Sequence, residues 1–137
     1  HCKTRRQRQM CIRDSTYSGH PLACAAGLAT LEVYREEDLF ARAAELAPYF
    51  QEAVHSLADC KNVIDVRNLG LMGAIELESI AGKPTVRAME AFQKAFERGL
   101  LVRTTGDTIA LSPPLIVERK HIDFIAETVR DVIETVH

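Results

Sequence analysis

The chain has 137 residues, of which 47% are hydrophobic and 26% are charged, and its formal net charge is −2. This length suits one domain, which could bury about two-thirds of the surface that its unfolded chain exposes. No run of residues approaches the ~18 uncharged apolar residues that a membrane span needs, so we expect no membrane partner.

The charge is unevenly distributed along the chain. The first fifteen residues hold five basic and one acidic side chain, which leaves 12 basic and 18 acidic residues in the remainder. Since that remainder is acidic, we expect no nucleic-acid partner. Residues 1–15 also lack periodicity and the apolar core of a secretory signal. We interpret them as a non-native or disordered leader, a sequencing or cloning scar, with an arginine-rich presequence as the alternative. Residues 16–137 then carry the fold.

The cysteine pattern bears on metal binding and on the cellular compartment. No two cysteines form a Cys-x-x-Cys pair, and the five histidines are scattered, so we predict no metal site. A chain of this length does not need disulfides, and the sequence therefore favours a reducing, cytoplasmic setting. The four cysteines are Cys2, Cys11, Cys24 and Cys60.

Two helices are predicted first. Ser18 or Gly19 can cap a helix whose first turn contains Pro21 and whose residues 22–31 carry no charge. A helix that is apolar nearly all round is a buried one, so we expect something larger than this chain to cover it. A second, one-sided amphipathic helix begins at Asp38, and Pro48 should kink or divide it.

The remaining pattern is strand, strand, helix, strand, strand, helix. The strands are predicted at 63–67, 71–77, 100–104 and 108–111, and the last helix at about 118–135. The helix between the strand pairs carries one apolar face, formed by Val86, Met89, Phe92 and Phe96. Because tight turns join each strand pair, we predict an α+β fold with a mainly antiparallel four-stranded sheet, helices packed on it, and two helices before it.

Three places could carry chemistry. Hydroxyls and free N–H groups at residues 16–19, ahead of a helix start, either bind a phosphate or only cap the helix. Arg103, late in an apolar strand, either pairs with a carboxylate or simply faces outward. Arg67 either pairs structurally with a carboxylate such as Glu76, which we prefer, or reaches an interface.

Three strings in this order resemble the C-terminal third of class III aminotransferases: TYSGHPLACAAGLATLEVY, VRNLGLMGAIEL and GLLVRTTGDTIALSPPLIV. The resemblance begins at Thr16 and covers about 120 residues. TYSGHP, with a histidine before the proline, is most similar to the omega-amino acid:pyruvate branch, although a diaminopelargonate or glutamate-semialdehyde branch would change only the substrate.

The resemblance implies the small C-terminal domain of a fold-type I enzyme with pyridoxal 5'-phosphate as cofactor. It implies a homodimer in which Thr16 reaches the cofactor phosphate of the neighbouring subunit and Arg103 pairs with the substrate carboxylate. The substrates would be an amine or omega-amino acid and a keto acid such as pyruvate.

The lysine that forms the Schiff base in this family has no counterpart here, since none of the chain's lysines lies in the matching context. We therefore expect no catalytic residue in this chain and no transamination by it alone. The alternative is a stand-alone small α+β ligand-binding or regulatory domain, whose first helix its own core should cover.

Overall fold

The computed structural model describes residues 19–136. They fall into two units, one ending at Asp38 and one beginning at Leu39. The first unit holds helix α1, Pro21–Glu36, and Pro21 occupies its first turn as predicted. The N-cap is His20, so the prediction of a Gly19 cap is wrong. Gly19 has φ +75°, and His20, which has the extended backbone typical of an N-cap, is the residue directly before the helix. Ser18 lies outside the described residues.

No residue of α1 is buried. Its leucines Leu22, Leu28 and Leu31 are 74%, 65% and 62% exposed. This helix therefore presents apolar side chains to solvent in the isolated chain.

The second unit begins with helix α2, Leu39–His55, which is continuous through Pro48. Of the two predicted effects of this proline, division of the helix is wrong, and a kink stays a prediction. Pro48 is exposed, as is Ala44, whose carbonyl loses its partner N–H, so water can satisfy that carbonyl. A short 3-10 turn, Ser56–Asp59, follows α2.

Four strands form one sheet: β1 Val63–Leu69, β2 Met72–Leu77, β3 Arg103–Thr105 and β4 Thr108–Leu111. They lie in the order β1-β2-β4-β3, and every neighbouring pair is antiparallel. The predicted antiparallel four-stranded sheet is thus confirmed, with β1 and β3 at its edges.

Three of the four strands differ from their predicted bounds. β2 begins one residue later than predicted, at Met72, and β3 ends one residue later, at Thr105. β1 continues to Leu69, since that residue pairs with Met72 and leaves Gly70 and Leu71 as the turn. β3 begins only at Arg103, because β4, its one neighbour, ends at Leu111 shortly before two prolines that cannot donate to a ladder.

Helix α3, Val86–Glu97, lies between the strand pairs, and helix α4, Arg119–Thr135, ends the fold. The predicted apolar stripe of α3 is not its buried face, because Val86, Met89 and Phe96 are exposed and only Phe92 packs partly against the core. The helix packs through small side chains instead: Ala88, Ala91 and Ala95.

The core is built from α2, the sheet and α4. Its largest fully buried side chains include Phe50, Leu57, Ile75, Ile109, Ile122 and Ile133. A Cβ at Gly73 of β2 would lie 3.2 Å from the Phe50 ring, so a larger residue here would require this ring of α2 to shift slightly. Within residues 19–136, no helix is both long and apolar enough to cross a bilayer.

Candidate functional site

Arg103 is the first residue of β3, at the edge of the sheet, and its backbone pairs with Ala110 of β4. The residue is exposed and lines a surface cavity of about 630 Å³. The walls of this cavity are mainly apolar. They come from α3, α4, β3 with the residues just before it, and β4 with the segment after it, and they include Phe92, Leu101, Pro113 and Ile125. Arg103 thus brings a positive charge to the rim of an apolar cavity.

The Arg103 guanidinium makes no hydrogen bond or ion pair with any residue from 19 to 136. None of the residues that line the cavity is acidic. A guanidinium presents its N–H donors in a fixed fork that matches a carboxylate, and apolar walls strengthen such a pair by excluding water. The arrangement can therefore accept a small carboxylate from solvent.

Arg67 has the opposite environment. It donates to Glu76 Oε2 at 2.8 Å and also to Asp65. Both hydrogen bonds raise the pKa of Arg67, and the one to Glu76 contributes more than the one to Asp65. The prediction that Arg67 pairs structurally with Glu76 is confirmed.

The other predicted site residue, Thr16, lies outside the described residues. Its proposed contact with a phosphate stays a prediction. From residue 19 onward, no group of three or more His, Cys, Asp or Glu side chains is placed to hold a metal ion.

The lysines of the described chain decide whether it could form the reactive part of a pyridoxal-phosphate site. None of them lines the Arg103 cavity. Lys94 pairs with Glu90 at 2.7 Å, and Lys120 pairs with Glu118 at 2.7 Å. Among the described residues, therefore, no lysine is placed at the Arg103 cavity to form an imine there.

Asp107, in the two-residue turn between β3 and β4, is a contact residue that the sequence did not reveal. Its Oδ1 accepts the Thr85 N–H at 2.8 Å, and its Oδ2 accepts the Ser79 hydroxyl. Its backbone carbonyl accepts the Leu77 N–H at 2.9 Å. The Gly-Asp pair indicated a turn, but no local signal indicates partners that lie more than twenty residues away.

Comparison with known proteins gives a consistent result. The family model for class III aminotransferases matches residues 3–133. An omega-aminotransferase of Caulobacter vibrioides is 67% identical over 118 residues, which are 86% of this chain and 27% of that protein. A beta-alanine–pyruvate aminotransferase of Pseudomonas aeruginosa is 43% identical over 118 residues, which are 86% of this chain and 26% of that protein.

The fold has the same relatives. A solved structure of a thermostable omega transaminase from Pseudomonas jessenii, a sixfold mutant, superposes with a TM-score of 0.79 at 25% identity, covering 93% of this chain and 31% of that one. The chain therefore spans about a quarter of the length of the curated relatives it matches.

Proposed function

Because this chain belongs to the class III aminotransferases, we propose that it is the C-terminal segment of a transaminase in which Arg103 binds the substrate carboxylate. The longer enzyme would move an amino group between an amine or omega-amino acid and a keto acid such as pyruvate. The observation that carries this proposal is the Arg103 guanidinium, which has no partner among residues 19–136 and lies at the rim of a mainly apolar cavity. The names of the omega-aminotransferase and beta-alanine–pyruvate relatives support the same substrate class.

The role of Arg103 follows from its surroundings. Its fork of N–H donors would hold the carboxylate, while Phe92 and Leu101 would cover the apolar part of the substrate and exclude water. A substrate without a carboxylate leaves the guanidinium free to remain in solvent, because its long stem is flexible and the residue is exposed. One site could thus accept both substrates of a transamination.

Pyridoxal 5'-phosphate is the proposed cofactor of the longer enzyme, where it would supply the electron sink that transamination needs. The described residues do not form the imine-forming part of its site, so the role of Arg103 does not depend on a step through the cofactor. We assign the Schiff-base lysine to protein outside this chain and expect the 137 residues alone, with added cofactor, to show no transamination.

A homodimer and a cytoplasmic location complete the proposal. In the dimer, Thr16 would contact the cofactor phosphate of the neighbouring subunit. The exposed Leu22, Leu28 and Leu31 of α1 support burial against further protein and speak against the alternative of a stand-alone domain, which should cover this helix. In the reducing compartment that the proposal assumes, Cys24 and Cys60, which are free thiols in the described chain, would stay reduced.

The proposal can be tested in a chimera. This chain's residues would replace the matched 118-residue segment of the Caulobacter vibrioides omega-aminotransferase, which is 67% identical over that segment. We expect Arg103→Ala to lower kcat/KM for pyruvate roughly tenfold to 150-fold, the range of a charge-assisted hydrogen bond. The value for propanal, an acceptor of similar size without a carboxylate, should stay unchanged.

The control is Arg98→Ala, which removes an exposed arginine that pairs with Asp131 at 3.4 Å outside the cavity. This variant should leave both acceptors unaffected. An equal loss for pyruvate and propanal in Arg103→Ala would contradict the proposal, since it would mean that the guanidinium does not discriminate by the carboxylate.

A further inference from the structure

We propose that Asp107 is a positioning residue for Arg103. By anchoring the turn between β3 and β4, Asp107 would fix the short edge strand whose first residue binds the carboxylate. This inference rests on the proposed function of Arg103.

Asp107 joins the β3–β4 turn to two other parts of the fold. Its side chain accepts hydrogen bonds from the Thr85 N–H, at 2.8 Å, and from the Ser79 hydroxyl. Its carbonyl accepts the Leu77 N–H at the end of β2, at 2.9 Å. One residue thus ties the turn to β2, to the loop that follows β2, and to the start of α3.

The strand that carries Arg103 has few other restraints. β3 has three residues and one neighbour, β4, with which it forms three residue pairs. Short edge elements with few contacts open locally at low free-energy cost. Because Arg103 is only four residues from Asp107, loosening the turn would broaden the range of positions that the guanidinium samples.

The partners of Asp107 are themselves held in place. Buried Arg87 of α3 donates to the Glu78 carbonyl, which fixes the loop on the side of Ser79. Thr85 is the N-cap of α3 and has a left-handed backbone, φ +70°. A carboxylate at this end of a helix also interacts favourably with the helix dipole. The anchor therefore connects β3 to a rigid part of the fold.

The kinetic test uses the same chimera and the same two acceptors. We expect Asp107→Ala to lower kcat/KM for pyruvate about fivefold to tenfold, mainly through KM, and to leave propanal within about twofold. Asp107→Asn should restore most of the activity, because the amide oxygen still accepts the Thr85 N–H and the serine hydroxyl can accept from the amide. Asp131→Ala is the matched control, since it removes an aspartate on α4 that is remote from the turn.

Amide hydrogen exchange supplies a readout that does not need activity. In Asp107→Ala, the amides of β3 should lose protection selectively, while those of α4 and β2 keep theirs. If all amides lose protection together, or if pyruvate and propanal lose activity equally, Asp107 has only a structural role and the proposal fails.

The kinetic results for Arg103→Ala and Asp107→Ala also distinguish a failure of the positioning role from a failure of the proposed function. If Arg103→Ala discriminates against pyruvate and Asp107→Ala does not, the positioning role is wrong while the carboxylate site stands. If Arg103→Ala does not discriminate, the proposed function fails, whatever hydrogen exchange reports about β3.

Discussion

The two edge strands of the sheet, β1 and β3, each carry one exposed arginine, Arg67 and Arg103. The residues near these two arginines in the ladder differ in charge. In β1, Asp65 faces Glu76 across the ladder two residues from Arg67, and both acids accept hydrogen bonds from it. In β3, the ladder pair two residues from Arg103 lies on its C-terminal rather than its N-terminal side, and it consists of Thr105 and Thr108. Within the described residues, the arginine of one edge strand is therefore paired with two carboxylates, whereas the arginine of the other edge strand is paired with none.

The comparison shows that availability is decided by the residues around an arginine. At both edges the guanidinium can reach solvent, so exposure does not distinguish them. The acidic ladder pair supplies two carboxylates that accept hydrogen bonds from Arg67, whereas the threonine pair supplies no carboxylate to Arg103. Three sets of variants test this difference.

The largest effect is expected when β3 is given the acidic pair of β1. In the chimera, Thr105→Asp with Thr108→Glu should lower kcat/KM for pyruvate roughly tenfold or more, because an internal carboxylate would compete with the substrate for Arg103. Propanal should be converted as before. The control is Thr105→Asn with Thr108→Gln, which keeps the shape without the charge. If the neutral pair has the same effect, competition by charge is not the cause.

An intermediate effect is expected at the two turns. Gly70 is the first residue of the β1–β2 turn, with φ +56°, and Gly106 is the first residue of the β3–β4 turn, with φ +61°. A Cβ at either position meets no atom within 4 Å, so alanine costs only backbone strain, about 1 kcal/mol in each case. Thermal unfolding should therefore detect similar losses of stability for Gly70→Ala and Gly106→Ala.

The KM for pyruvate should distinguish Gly70→Ala from Gly106→Ala. Only Gly106→Ala should raise KM for pyruvate, since only that turn leads to Arg103. If both variants raise KM equally, the two edges are coupled and the comparison between them does not hold.

The smallest effect is expected when the Arg67 network is removed. Asp65→Asn with Glu76→Gln should shift the unfolding temperature by no more than about 2 °C, because exposed ion pairs contribute little to stability. Both acceptors should react as in the parent chimera. A large loss of pyruvate activity would show that the β1 edge also takes part in the site.

Local patterns predicted the sheet well, because each strand pair is joined by a short turn containing glycine. They failed where the outcome depended on distant residues. Pro48 did not divide α2, since its exposed position allows water to satisfy the freed carbonyl. The buried face of α3 was misjudged because hydrophobicity favoured Met89 and Phe96 over small alanines that allow close approach to the sheet.

The candidate site was predictable only in part. Arg103 stood out by its resemblance to a family motif, and its strand was located to within a few residues. Its apolar cavity combines side chains of α3, α4 and two strands, which no local pattern joins. The contacts of Asp107 were equally hidden, because Thr85 and Ser79 are 22 and 28 residues away in the sequence.

The buried alanines of α3 affect the width of the Arg103 cavity, although they do not line it. Ala88, Ala91 and Ala95 act as spacers between the helix and the sheet, and Phe92 projects from the same helix into the cavity wall. A larger side chain at a spacer position would lift Phe92 away from β3 and widen the opening. If Arg103 binds the substrate as proposed, we expect these alanine methyl groups to limit the size of substrate that fits beside the guanidinium without touching it.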